Sequence, residues 1–78
     1  MIIKVLGPGC AKCKTLENNV KTALEETGKS AEVIKVSKMN DIMEYDIMMT
    51  PALIIDEEIK ISGRVATVRE IKEMLQEE

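Results

Sequence analysis

Cys10-Ala11-Lys12-Cys13 holds both cysteines of the chain, three positions apart, between a short apolar run and a helical pattern. A thiol pair at that spacing is what dithiol–disulfide exchange needs. A cysteine at the start of a helix meets unpaired N–H groups and the positive end of the helix dipole, and both stabilise a thiolate. Cys10 is placed to be that thiolate. Cys13, one helical turn further in, is placed to attack a mixed disulfide formed at Cys10. Two thiolates can also hold a soft ion such as Cu(I). A structural zinc site needs about four protein ligands, and the chain has no histidine and no third cysteine. In a reducing compartment such a pair is redox-active or metal-binding more often than structural.

The elements that must position the pair follow from the pattern. Met1 to Leu6 reads as a buried strand, and Gly7-Pro8-Gly9 breaks it. From Ala11 to Thr27 the apolar side is Cys13, Leu16, Val20, Ala23, Leu24 and Thr27, which is helical spacing on one face. Gly28 suits the residue just past the helix end. Ala31 to Val36 is a second strand. Lys38 to Tyr45 is a short helix expected to turn Met39, Ile42 and Met43 inward. Ala52 to Asp56 is a third strand opening after Pro51. Glu58 to Ser62 alternates Ile59 and Ile61 against Glu58 and Lys60, as a strand with one exposed face does. The short gap at Asp56 and Glu57 makes the last two strands an antiparallel hairpin. Thr67-Val68-Arg69-Glu70 is a capping-box signal opening a final helix, with Val68, Ile71, Met74 and Leu75 inward. The order β-α-β-α-β-β-α makes the first two strands a parallel pair. An α/β fold with a four-stranded mixed sheet and helices on both faces follows.

The bulk properties exclude several classes. Seventy-eight residues are expected to form one domain, 1–78. The hydrophobic share is 45% and the charged share 32%, a globular balance with an almost wholly aliphatic core, since Tyr45 is the sole aromatic. A net charge of −3 and the lack of stacking aromatics argue against a nucleic-acid partner. Met1 to Leu6 is too short for a signal peptide or a spanning helix. No membrane partner and a cytoplasmic location are the expectation.

With its C-x-x-C at the first strand–helix junction, Thr50-Pro51 just before the third strand, and Gly63-Arg64-Val65 after the last, the chain resembles the thioredoxin superfamily in its minimal, glutaredoxin-sized form. Within it, the chain is similar to the small redox-active disulfide proteins, over essentially its whole length. The resemblance implies a thioredoxin-like sheet in strand order 2-1-3-4. It implies that Cys10 is the exposed nucleophile and Cys13 the resolving thiol. It implies that Pro51 is a cis-proline beside the disulfide, leaving the neighbouring backbone for a substrate strand. Thr50 would face the sulfurs and tune their acidity. There are departures. Trp-Cys-Gly-Pro-Cys is absent, Thr50 abuts Pro51 where glutaredoxins have Thr-Val-Pro, and Lys4 stands where thioredoxins proper carry a buried carboxylate. An ammonium near Cys13 would favour its thiolate. Alternatively Lys4 packs its stem and sends its amine past the sheet edge.

Other residues carry two readings each. Lys12 is either a solvated side chain or a positive charge helping to hold Cys10 as thiolate, and Lys14 is surface. Met48 and Met49 are read as core or groove packing rather than metal ligands or a substrate lip. Gly63 is read as permitting a close backbone approach beside the groove. Arg64 is read as surface in preference to a carboxylate clamp, Glu70 as a cap, and Tyr45 as a ring under the Pro51 loop with its hydroxyl at the surface. Together these give a monomeric thiol–disulfide oxidoreductase or electron carrier with no bound cofactor and no resident metal. It would act on disulfide-containing proteins or small molecules and be recharged by an upstream reductase or a low-molecular-weight thiol. The alternatives are a soft-metal or metalloid carrier using both thiolates, and an adaptor whose thiols are incidental.

Overall fold

In the computed structural model, which describes residues 1–9, 11–45, 47 and 49–76, the apolar run at the start of the chain becomes an inner strand of the sheet. The elements are β1 (Ile2–Leu6), α1 (Ala11–Thr27), β2 (Glu32–Val36), α2 (Met39–Ile42), β3 (Ala52–Ile55), β4 (Glu58–Ser62) and α3 (Val68–Gln76). The strands lie in the order β2-β1-β3-β4, the 2-1-3-4 arrangement expected from the resemblance. β1 pairs parallel with β2 and antiparallel with β3, and β3 pairs antiparallel with β4.

Side chains alternate across a strand, so the sheet has two unequal faces. Ile3, Val5, Leu53, Ile55 and Ile61 pack against Leu16, Val20 and Ala23 of α1 and Ile71 and Leu75 of α3. On the other face Leu6, Ala52 and Ile54 meet Ile42 of α2, with Val36, Tyr45 and Ile47 at the margin. Each fully buried Leu or Ile contributes about 1.5–3 kcal/mol of apolar transfer, so the first face carries most of the stabilisation.

The helix ends are held by local chemistry. The Thr27 hydroxyl donates to the Ala23 carbonyl at 2.8 Å, and Gly28 follows in the left-handed region at φ 70°. At the start of α3 the Glu70 N–H donates to Thr67 Oγ1 and the Thr67 N–H donates to Glu70 Oε1, each at 3.1 Å, which is the expected capping box. Asn19 on α1 donates to the Ala66 carbonyl at 2.9 Å and ties the two helices' approach. Lys29 Nζ donates to the Leu75 carbonyl near the end of α3.

Three expectations are corrected. α2 is one turn, Met39–Ile42, and only Ile42 points inward, while Met39 and Met43 are 58% and 75% exposed. A single turn cannot bury three of its positions against one small patch. In β4, Leu53 opposes Ile61 but Ile54 opposes Ile59, a register shift that leaves Lys60 as an extra residue. Residues directly opposite share a face, so this bulge sends Ile59 and Ile61 to opposite faces, and Ile59 stays 42% exposed. The strand ends also move by one residue, β2 beginning at Glu32 and β3 ending at Ile55. The intervening turn has Asp56 and Glu57 at φ 49° and 69°, the pattern of a two-residue hairpin. Asp56 is further tied to β1, its carboxylate accepting the Ile2 N–H at 2.8 Å.

Candidate active site at the strand–helix junction

The site is built where β1 gives way to α1. The Gly7 N–H donates to the Val36 carbonyl at 2.9 Å, so the chain is still tied to the sheet when it turns. Gly9 takes φ 88°, a left-handed value that glycine adopts without a side-chain clash. α1 opens at Ala11. Cys13 stands on its first turn, one turn before Leu16, so the apolar stripe that docks the helix also carries the thiol inward. Cys13 is 2% exposed.

The seat of Cys13 is the backbone of Gly7. A Cβ at position 7 would lie far inside contact of Cys13 Sγ, 3.2 Å from Cys13 Cβ and 4.0 Å from Pro51 Cα. Gly7 is therefore required for closeness rather than for turning. The sequence marks it only as a strand breaker; its spacing of six residues before Cys13, at the end of an apolar strand, is the signal that could have found it.

Pro51 closes the other side. It is buried at the entry to β3, and the Thr50–Pro51 peptide bond is cis. Its carbonyl accepts the Gly63 N–H at 2.9 Å. Gly63 sits at φ 82°, and a Cβ there would stand 3.2 Å from Met49 Cβ and 3.4 Å from Met49 Sδ. The structure thus gathers Cys13, Gly7, Pro51, Gly63 and Met49 into one contiguous group. Thr50 is exposed beside Pro51, and Lys12 is exposed on the first turn of α1. Cys10 and Met48 lie outside the described residues.

Lys4 is drawn elsewhere. It alternates with Ile3 and Val5 and so points to the face away from α1. There its Nζ donates to the Tyr45 hydroxyl at 3.0 Å and stands 5.2 Å from the ring centroid. The Tyr45 hydrogen bond raises the Lys4 pKa above its ordinary value, against a smaller opposing effect of desolvation. The Tyr45 hydroxyl, expected at the surface, is an acceptor for Lys4. Arg64 is likewise committed. Its guanidinium holds both Glu70 carboxylate oxygens, at 3.0 and 2.6 Å. Those bonds, with the Thr67 N–H, lower the Glu70 pKa to about 2. Among the described residues no three His, Cys, Asp or Glu gather into a metal-holding group. No helix among them is long and apolar enough to cross a membrane.

Comparison with known proteins agrees with this architecture. The family model described as "Thioredoxin domain" matches residues 1–76. A protein named thioredoxin from Methanothermobacter thermautotrophicus is 44% identical over 75 residues, covering 96% of this chain and 97% of the relative. Another of that name from Methanocaldococcus jannaschii is 41% identical over 75 residues, covering 96% of this chain and 86% of the relative.

Proposed function

The chain belongs to the thioredoxin superfamily, in its small form, and from that premise we propose that it is a thiol–disulfide oxidoreductase working through Cys10 and Cys13 as a single domain. The observation that carries the reading is the seat of Cys13, a buried thiol on the first turn of α1, against bare Gly7 backbone and beside Pro51. That position lies one helical turn from Cys10 in sequence, which suits a resolving thiol.

The chemistry has two steps. Cys10 thiolate attacks one sulfur of a substrate disulfide, forming a Cys10–substrate disulfide and expelling the other substrate sulfur as thiolate. Cys13 then loses its proton and attacks Cys10 Sγ. The Cys10–Cys13 disulfide forms, the second substrate sulfur leaves, and two electrons have passed to the substrate. Lys12, on the exposed side of the first turn, favours the Cys10 thiolate by its charge. Thr50 and Pro51 present the neighbouring backbone to an extended substrate segment, and Gly63 holds the Pro51 carbonyl in place. The substrates are disulfide-bearing proteins or small molecules. A reductase or a small thiol in a reducing compartment such as the cytoplasm restores the dithiol.

The test is a titration of the pair in thiol–disulfide buffers, read by mass after alkylation. A reversible two-electron couple between about −300 and −180 mV is expected. Cys10→Ser should abolish disulfide reduction and Cys13→Ser should accumulate mixed disulfides. A pair that never closes, or a Cys10→Ser variant with full turnover, sinks the reading.

A further inference from the structure

Met49 is a thioether at the surface of the thiol group, 63% exposed, with its Sδ against bare Gly63. Gly63 in turn holds the Pro51 carbonyl, and Pro51 stands beside the Gly7–Cys13 contact. One oxidisable sulfur is thus linked to a second kind of sulfur through two backbone positions. We propose that Met49 is a hydroperoxide-modified site whose oxidation undoes its contact with Gly63 and weakens the engagement of protein disulfides.

In the step, the peroxide transfers one oxygen atom to Met49 Sδ. The O–O bond breaks and an S–O bond forms. The sulfur gives up two electrons, and the hydroperoxide leaves as alcohol or water. The product is polar and chiral where the thioether was apolar and compliant. On the Gly63 side the added oxygen would meet a bare methylene whose own N–H is already given to the Pro51 carbonyl, while most of the side chain stands in water. The sulfoxide therefore turns to water and leaves the seat. Met39 and Met43 are comparably exposed and will oxidise too, but they stand on α2 and at its C-terminal end, not on Gly63. Met74 packs against the larger core and is partly buried.

The effect on substrates rests on the oxidoreductase reading; the effect on Gly63 does not. The whole chain, with its thiols reversibly blocked by a methanethiosulfonate, is treated with hydrogen peroxide, quenched and unblocked with dithiothreitol. Sulfoxides are mapped by peptide mass, and the Gly63 amide is followed by 15N–1H NMR. Reduction of a protein disulfide is then measured, each sample relative to its own untreated rate. Oxidation at Met49 faster than at Met74 and a displaced Gly63 amide are expected. So is a loss of rate of about fourfold, the equivalent of one methylene of apolar contact, that is absent in Met49→Leu. Equal loss in Met49→Leu, no loss in the wild type, or an unmoved Gly63 amide in chains oxidised at Met49 overturns the inference. A chain that reduces no disulfide before treatment sinks the oxidoreductase reading instead, and the Gly63 amide alone then decides whether Met49 is such a site.

Discussion

The two faces of the sheet are built to different standards. The α1–α3 face closes over Ile3, Val5, Leu53, Ile55 and Ile61 with two helices of 17 and 9 residues. The α2 face is closed over Leu6, Ala52 and Ile54 by a single helical turn and the chain beside it. On that second face a lysine sits mid-strand, and Met39, Met43 and Ile59 remain exposed. A chain of 78 residues has material for one well-filled core. Here that core is placed under the helix that carries Cys13, so the thiol's position is fixed by the best-filled part of the molecule. The connection from α2 to β3, which carries Met49, Thr50 and Pro51, hangs from the lighter face.

The sharpest way to break this comparison is a truncation on each side. Leu16→Ala should cost about 2–5 kcal/mol, the usual range for a buried leucine. Met43→Ala should stay within about 0.5 kcal/mol, because the side chain is already in water. Denaturant unfolding of both variants decides it, and comparable losses would mean that the faces are energetically equal. Next in size is Gly7→Ala, which forces a methyl group into Cys13 and should cost about 1–3 kcal/mol as overpacking does. It should also slow disulfide turnover more than its stability loss explains. An alanine variant with wild-type stability and rate would dissolve the Gly7–Cys13 seat.

The smallest effect sharpens the picture of α3. Glu70 has a folded-state pKa of about 2 against an ordinary 4.5, chiefly through Arg64 and then the Thr67 N–H. A depressed carboxyl pKa stabilises the fold above its unfolded value and loses that contribution as pH falls through the folded one. Wild type and Glu70→Gln, which keeps the side-chain acceptor of the cap, should therefore differ near pH 6 and converge between about 4.5 and 2. A gap that persists at pH 2 would assign the difference to packing instead.

Where one periodicity governs an element, the sequence reports it faithfully. α1 spans Ala11–Thr27 as its stripe from Cys13 to Ala23 requires, and the Thr67–Glu70 box opens α3 because both halves of the cap are in the chain itself. Where a neighbour decides, it does not. Ile59 and Ile61 read as one face until the bulge at Lys60 separates them, and nothing in that alternation announces an extra residue. Met39 and Met43 read as inward because a longer helix would bury them; the patch beneath is too small. At the site, the cysteine spacing and Thr50-Pro51 are visible in the string. The requirement for a bare Gly7 is not, since it arises from the close approach of Cys13 on α1, which only the folded chain brings about, and Lys4's turn toward Tyr45 depends on which face an even-numbered strand position takes.

Tyr45 has a practical corollary. It is the chain's single aromatic, with no Trp or Phe beside it, so it is the molecule's only intrinsic fluorophore, and it sits on the α2 side with its hydroxyl bound by Lys4. Phenol emission will therefore report the loosening of that face alone, while the aliphatic core under α1 and α3 stays optically silent. Fluorescence thus watches one face and far-ultraviolet circular dichroism the secondary structure of the whole, and any lag between the two traces measures how tightly that face is coupled to the rest.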